Sequence, residues 1–209
     1  MFYDCELKKA GMLRCMLLDM GFPSSVIIAS HLFRRANQHI ASDLLGIDDI
    51  DCDKNGLLLF SPIEKAYDDF NLGFVKNKDG QLVCKIFNRN ILTDLLYDNL
   101  TLKEKNELIN SHLLPSDWRN GTEPIYATGT EFNLRTTYKE LDGRPLALKN
   151  LNRPYHRCLC FQARLALSKA REKNWIDASY DFDDFLSEGM SAKEKVEWAL
   201  SRAFSAVEQ

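Results

Sequence analysis

The sequence contains no long run of apolar side chains. Its longest runs, such as residues 57–60, fall far short of the roughly 20 residues that a membrane-spanning helix needs. The first six residues, Met-Phe-Tyr-Asp-Cys-Glu, carry acids where a signal peptide has bases, and no clean apolar stretch follows. We therefore expect an intracellular protein, cytoplasmic or nuclear, that does not bind a membrane.

Metal-binding patterns of cysteine and histidine are also absent. None of the six cysteines forms a C-x-x-C pair, and the four histidines do not complete a zinc pattern near them. We therefore expect free, mostly buried thiols and no structural zinc. The chain also lacks internal repeats and low-complexity stretches. Because 45% of its residues are hydrophobic, it has enough apolar material to bury a core of ordinary size.

The sequence also has no excess of basic residues, since its formal net charge is −3. This value hides a segmented distribution. Residues 177–209 hold eight acidic and three basic side chains, whereas residues 71–176 hold 17 basic and 11 acidic ones. A solvated surface explains most of this pattern, but it also allows a basic face on residues 71–176. The acidic tail, residues 177–209, would then either aid solubility or cover that basic face.

Local patterns predict an α+β protein that is helix-rich towards its C-terminus. In the first half the β-branched run 26–31 predicts a strand that ends at His31, and residues 57–60 predict a second strand. The long loop between them contains a predicted short helix near 39–45, closed by Gly46. Ser61 as N-cap and Pro62 at the first helical position predict a helix to about residue 68.

The second half is predicted to begin with a hairpin whose strands, 72–75 and 81–87, flank the turn Asn77-Lys-Asp-Gly80. Capping-box patterns then predict helices at 101–112 and 191–207, and a strong helix is predicted at 154–174. Residues 115–150 are rich in turn signals. The tryptophans, which do not interleave with basic residues, are predicted to lie in cores; they are Trp118, Trp175 and Trp198.

The order of strand, His31, long loop, Asn55-Gly, strand and helix resembles an HNH endonuclease domain. The motifs that carry this resemblance are Arg14-Cys-Met-Leu17, Val26-Ile-Ile-Ala-Ser-His-Leu32, Asp53-Lys-Asn-Gly-Leu-Leu-Leu59 and Ser61-Pro-Ile-Glu-Lys-Ala-Tyr-Asp68. The resemblance implies two antiparallel strands and a helix around one metal ion. We therefore predict an HNH-like ββα-metal module at residues 1–75. Residues 76–209 would form a helix-rich supporting region with an acidic tail, joined to the module in one compact unit.

Phosphodiester hydrolysis needs a base that deprotonates water and a divalent cation that holds phosphate charge. By resemblance, His31 is the general base and Asn55 is the catalytic residue that orients it. A histidine titrates near neutral pH, and an asparagine amide can hydrogen-bond back to a loop and to the imidazole. Without a catalytic role, His31 would be a core histidine and Asn55 would be an ordinary turn residue.

The sequence departs from the family pattern at two positions. Ser30 stands where the family usually has Asp or His, and the third signature histidine would fall near Lys65. Glu64 and Asp68 are the candidate ligands for one Mg²⁺ or Mn²⁺ ion, although Glu64 would also suit the first turn of a helix by its charge alone. The site is therefore either a glutamate variant of the HNH centre or a degenerate one, which would serve as a DNA-binding or protein-interaction module.

Five basic residues are candidates for contacts with DNA phosphates, with double-stranded DNA as the predicted substrate. They are Arg34, Arg35, Lys65, Arg153 and Arg157. By helical spacing, residues 153, 157 and 164 fall near one face, which an ordinary solvated basic face explains equally well. Because nothing resembles a base-reading motif, we expect low sequence preference.

A narrower resemblance connects the chain to HNH-like domains of eukaryotic microbes, including the Crinkler effectors of oomycetes and chytrids, which act in host nuclei. Its motifs are Pro62-Ile-Glu-Lys-Ala-Tyr-Asp68, Leu141-Asp-Gly-Arg-Pro-Leu146 and Asn152-Arg-Pro-Tyr-His-Arg-Cys-Leu-Cys-Phe-Gln-Ala163. The N-terminal translocation region of Crinklers is not seen. A free nuclease, a mobile-element protein and an excised domain are therefore equally compatible with the sequence.

Overall fold

The computed structural model describes residues 3–7, 11–114 and 135–186. Within these ranges the protein is α+β, as predicted, with three antiparallel hairpins and four α-helices. The strands are β1 Met12–Cys15, β2 Met20–Pro23, β3 Ile27–His31, β4 Gly56–Phe60, β5 Leu72–Lys76 and β6 Leu82–Ile86. The helices are α1 Ala41–Leu45, α2 Ser61–Asp68, α3 Leu102–Asn110 and α4 His156–Glu172.

The hairpin of β1 and β2 is not predicted by the sequence pattern, because Gly21 and Pro23 look like interruptions. In the structure both residues lie in β2, with Pro23 paired to Met12 and Gly21 paired to Arg14. The turn after β1 then contacts the next hairpin, since the Met16 N–H donates to the Leu58 carbonyl at 2.8 Å. The short first hairpin thus supports the edge of β4.

The predicted ββα unit is present. Strand β3 pairs antiparallel with β4, so that Ile27 lies opposite Phe60 and His31 lies opposite Gly56. Helix α2 begins at Ser61 with Pro62 in its first turn, but the predicted N-cap is wrong: Phe60 is the N-cap, and no side chain caps this helix. The helix buries Ile63, Ala66 and Tyr67.

The predicted hairpin after the ββα unit is also present, as β5 and β6, and it packs against α4. Gly73 permits this close packing, because an added Cβ would lie 3.3 Å from the Ala163 Cα and 3.1 Å from the Gln162 Oε1. The Gln162 amide in turn donates to the Tyr67 carbonyl at 2.8 Å. Helix α4 therefore joins the hairpin to the end of α2.

Two further local predictions are confirmed. Gly46 ends α1 in the left-handed conformation, with φ 60°, where a glycine has no steric penalty. Thr101 and Glu104 form the predicted capping box at the start of α3. Of the remaining predictions, the helix at 191–207, Trp118 and Trp198 lie outside the described residues, and residues 135–150 are irregular apart from one short 3₁₀ turn.

The hydrophobic core draws on both halves of the chain. One cluster of buried side chains includes Cys15, Phe60 and Leu141, and it also includes Leu159 of α4 and Phe185 beyond that helix. The six cysteines are free, and all but Cys52 are buried, as predicted. Among the described residues, no helix has both the length and the apolar composition of a membrane span.

We predict that Leu159→Ala lowers the free energy of unfolding by about 2–5 kcal/mol, because it opens a cavity in a core shared by both halves. Leu165→Ala, on the same helix, is the matched control, since Leu165 is 40% exposed and Leu159 is fully buried. Urea denaturation monitored by tryptophan fluorescence measures both. Equal effects of the two substitutions would contradict the packing of α4 described above.

Candidate active site

His31 lies at the end of β3, beside an open cleft. Its side chain is 38% exposed, so the imidazole is accessible to solvent and to a substrate. The cleft has a volume of about 330 Å³, and its walls include Tyr3, Ser30, His31, Asp51, Asp53 and Asn55. The hairpin pairing thus places the predicted base at an accessible position, whereas the neighbouring Ser30 is buried.

Asn55 is fully buried and makes three side-chain hydrogen bonds. Its Oδ1 accepts from the Phe33 N–H at 2.9 Å, and its Nδ2 donates to the carbonyls of Phe33 at 3.0 Å and Ile50 at 2.8 Å. Its backbone carbonyl also accepts from the N–H of Leu32, the residue after His31. Asn55 therefore fixes the loop on both sides, as predicted, but none of these hydrogen bonds is to the imidazole.

The contact partner of the imidazole is Asp51, which the sequence patterns do not single out. The His31 Nε2 lies 3.3 Å from the Asp51 Oδ1, and an Arg35 guanidinium nitrogen lies 2.5 Å from both Asp51 oxygens. Hydrogen bonds from Arg35 and then from His31 lower the pKa of Asp51. In the sequence, Asp51 is one of four aspartates between positions 48 and 53, a pattern that indicates charge but no role.

Glu64 and Asp68 lie one turn apart on α2 but have different surroundings. The half-buried Glu64 carboxylate makes no hydrogen bond or ion pair within the described parts of the chain, and its pKa is raised by burial first and then by the charge of Asp68. Asp68 forms an ion pair with Arg34 at 3.3 Å, and its carbonyl also accepts from that guanidinium. Glu64 is thus the more available of the two candidate ligands.

The described residues fit a metal ion only in a limited way. Residues 3–7, 11–114 and 135–186 contain no group of three His, Cys, Asp or Glu side chains that could hold one. Mg²⁺ does not require such a group, because it is usually bound through one or two carboxylates, with waters and substrate phosphates as the other ligands. Glu64 makes no hydrogen bond or ion pair within the described residues, and Asp68 lies one helical turn away. Two such carboxylates suit this way of binding Mg²⁺ and do not suit a closed zinc site.

Arg34 and Arg35 both form exposed ion pairs, Arg35 with Asp51 beside His31 and Arg34 with Asp68 on α2. The side chain of Arg34 is 39% exposed and also stacks on the Phe70 ring, and that of Arg35 is 65% exposed. Exposed ion pairs contribute little stability, so a phosphate can replace the carboxylate. Lys65 turns instead towards α3, with its ammonium 3.5 Å from the Glu104 carboxylate.

The predicted basic strip along α4 does not form. Arg153 is exposed and donates to backbone carbonyls of its own loop, including that of Asn152 at 2.9 Å. Arg157 is only 4% exposed and donates to the Gly46 carbonyl, so it is not on the surface that a phosphate contact requires. Arg164 pairs with Asp181 and Asp184, which means that the acidic segment covers part of this helix.

Comparison with known proteins supports the resemblance for the first part of the chain. Residues 15–75 match the model of a family described as HNH endonuclease. This match indicates a nuclease or a nucleic-acid-related function for the segment that contains His31, Asn55 and Glu64. No curated protein and no solved structure matches the chain, so no relative supports the narrower Crinkler-like resemblance.

We predict that Asn55→Ala lowers the free energy of unfolding by about 2–4 kcal/mol, because it leaves buried backbone groups of Phe33 and Ile50 without partners. Asn99→Ala is the control, since Asn99 is exposed and its side chain donates one hydrogen bond within the described residues, to the Leu95 carbonyl. Urea unfolding curves compare the two variants. An Asn55→Ala protein as stable as the wild type would show that the loop does not depend on this side chain.

Proposed function

We propose that the protein is an HNH-type endonuclease that hydrolyses phosphodiester bonds in DNA with the help of a divalent metal ion. The observation that carries the proposal is the position of His31, which ends a strand of a ββα unit and faces an open cleft. The family match over residues 15–75 supports it independently, because it covers the whole unit.

In this proposal each residue has a separate task. His31 removes a proton from the attacking water, as a solvent-accessible imidazole can near neutral pH. Asn55 holds the loop backbone on which His31 and its neighbours depend. Glu64, with Asp68 as a second ligand, holds Mg²⁺ or Mn²⁺. When bound, the ion supplies positive charge to the phosphate and to the leaving oxygen.

The proposed substrate is double-stranded DNA, bound through its phosphates with little sequence preference. Arg34 and Arg35 are the best-placed contacts, because Arg35 pairs with Asp51 beside His31, Arg34 pairs with the candidate ligand Asp68, and both carboxylate partners are exposed. Lys65 and Arg153 are also candidates for phosphate contacts, and they lie farther from His31 along the chain than Arg34 and Arg35 do. Phosphate contacts of this kind give affinity that falls steeply with salt and carry no base information.

The second candidate is a catalytically degenerate HNH fold that binds DNA or a protein partner, such as an effector domain acting in a host nucleus. Two observations favour it. Ser30 and Lys65 replace expected metal-site residues, and no three-ligand group occurs in the described ranges. Both candidates share the ββα unit, so activity measurements must separate them.

We predict that His31→Ala lowers the rate of plasmid nicking in Mg²⁺ or Mn²⁺ by at least about 100-fold, because removal of a general base typically costs 10²–10⁴ in rate. His39→Ala is the matched control, since His39 is an exposed histidine of the same loop. Circular dichroism checks that both variants are folded.

The same assay decides between the two candidates. If the wild type cuts no DNA with any divalent ion but retards it on a gel in a salt-dependent manner, the enzyme is excluded and the binding module stands. If it neither cuts nor binds DNA, a protein-interaction role is the remaining alternative. If His31→Ala cuts as fast as the wild type, His31 is not the base.

We predict that Glu64→Gln raises the Mg²⁺ concentration needed for half-maximal cleavage by about 10-fold or more, because an amide is a much weaker ligand than a carboxylate for a hard cation. Asp69→Asn is the control, since it removes the same charge from a neighbouring exposed position. Titration of the cleavage rate with Mg²⁺ measures both. An unchanged metal dependence in Glu64→Gln would assign the ion to other ligands.

A further inference from the structure

The contact between His31 and Asp51 has no counterpart in the roles that the HNH resemblance assigns. The two residues are 20 positions apart, and they meet because the loop between β3 and β4 folds back on the end of the hairpin. A carboxylate at neutral pH can only accept hydrogen bonds, so the imidazole nitrogen that faces it carries the proton. At 3.3 Å from Oδ1, this nitrogen is Nε2.

We propose that Asp51 is a positioning residue for His31, which holds the imidazole through Nε2–H and leaves Nδ1 as the nitrogen that accepts the proton from water. The role of Nδ1 rests on the proposed function, in which His31 is the base. An acid that orients a base and selects its tautomer is a recurring arrangement in hydrolytic sites. Here the acid comes from the long loop and not from the ββα unit itself.

The position of Asp51 is itself fixed from three directions. Its backbone N–H donates to the Asp49 side chain at 3.0 Å, and the Ile50 carbonyl just before it accepts from Asn55 at 2.8 Å. Its two carboxylate oxygens both lie 2.5 Å from Arg35. The loop and the buried amide therefore hold one carboxylate against the imidazole, and the guanidinium adds to this in the protein without DNA.

Several titratable or charged groups lie around the imidazole and its cleft. Among the described residues they include Asp51, Arg35, Asp53, Cys52 and Tyr3. Of these, Asp51 is the group whose hydrogen bond reaches the ring.

Cleavage kinetics test the proposal through four variants. We expect Asp51→Ala and Asp51→Asn to lower kcat by about 10- to 100-fold, as loss of an orienting partner typically does, with little change in KM. Asp51→Asn should do no better than alanine, because its amide can donate to Nε2 and select the other tautomer. Asp51→Glu should restore part of the rate. Asp48→Asn is the control, since it removes a charge from the same loop and contacts Ser42 instead.

Nitrogen NMR of the imidazoles gives a readout that does not require cleavage. We expect neutral His31 of the wild type, assigned by comparison with His31→Ala, to show the Nε2–H tautomer, and Asp51→Ala to show a mixture. A wild-type Nδ1–H tautomer would overturn the proposal. A wild-type kcat together with a wild-type tautomer in Asp51→Ala would also overturn it. If His31→Ala is inactive in that case, the proposed function still stands.

If the wild-type protein cuts no DNA, the proposed function fails while the contact between Asp51 and His31 can still be tested. The proposed function and the role of Nδ1 as the reacting nitrogen would then both fail. The tautomer measurement would still decide whether Asp51 holds the imidazole, because that contact exists in the free protein. The kinetic result and the NMR result therefore fail independently.

Discussion

The buried side-chain amide of Asn55 is the interaction on which the candidate site depends. It hydrogen-bonds the backbone N–H and carbonyl of Phe33 and the backbone carbonyl of Ile50. Without the amide, these buried polar groups would lose these partners. Through these bonds a loop of more than 20 residues takes one conformation at the end of the hairpin. The positions of His31 and Asp51 follow from that conformation.

The second half of the chain supports the same loop from behind. The Tyr155 N–H donates to the Lys54 carbonyl at 2.8 Å, and the buried Arg157 guanidinium donates to the carbonyl of Gly46. The ring of Phe161 packs 5.7 Å from that of Phe33. The sequence predicts basic residues of helix α4 as contacts with DNA, but in the structure the helix and its N-terminal residues support the loop. The role of the larger half is at least partly to hold the site in shape.

Prediction from the sequence succeeded for most local signals, with the N-cap of α2 as an exception, because Phe60 and not Ser61 holds that position. The β-branched run, the turn Asn77-Lys-Asp-Gly80, the capping box and the left-handed glycine each report on a few neighbouring residues, and the elements they predict are present. The prediction failed for Arg157, because helical spacing shows which residues share a face but not which face is buried. It also missed the hairpin of β1 and β2, because Gly21 and Pro23 resemble breaks until their pairing partners are known.

By itself, the sequence determined the order of strand, histidine, loop, asparagine and helix, and hence the ββα unit and its resemblance to HNH endonucleases. Only the tertiary structure decided which groups distant along the chain meet: Asp51 and His31, Arg34 and Asp68, and Lys65 and Glu104. The reason is physical. Spacing along the chain fixes contacts within one element, whereas contacts between carboxylates and bases 20 or more residues apart depend on how the whole loop packs.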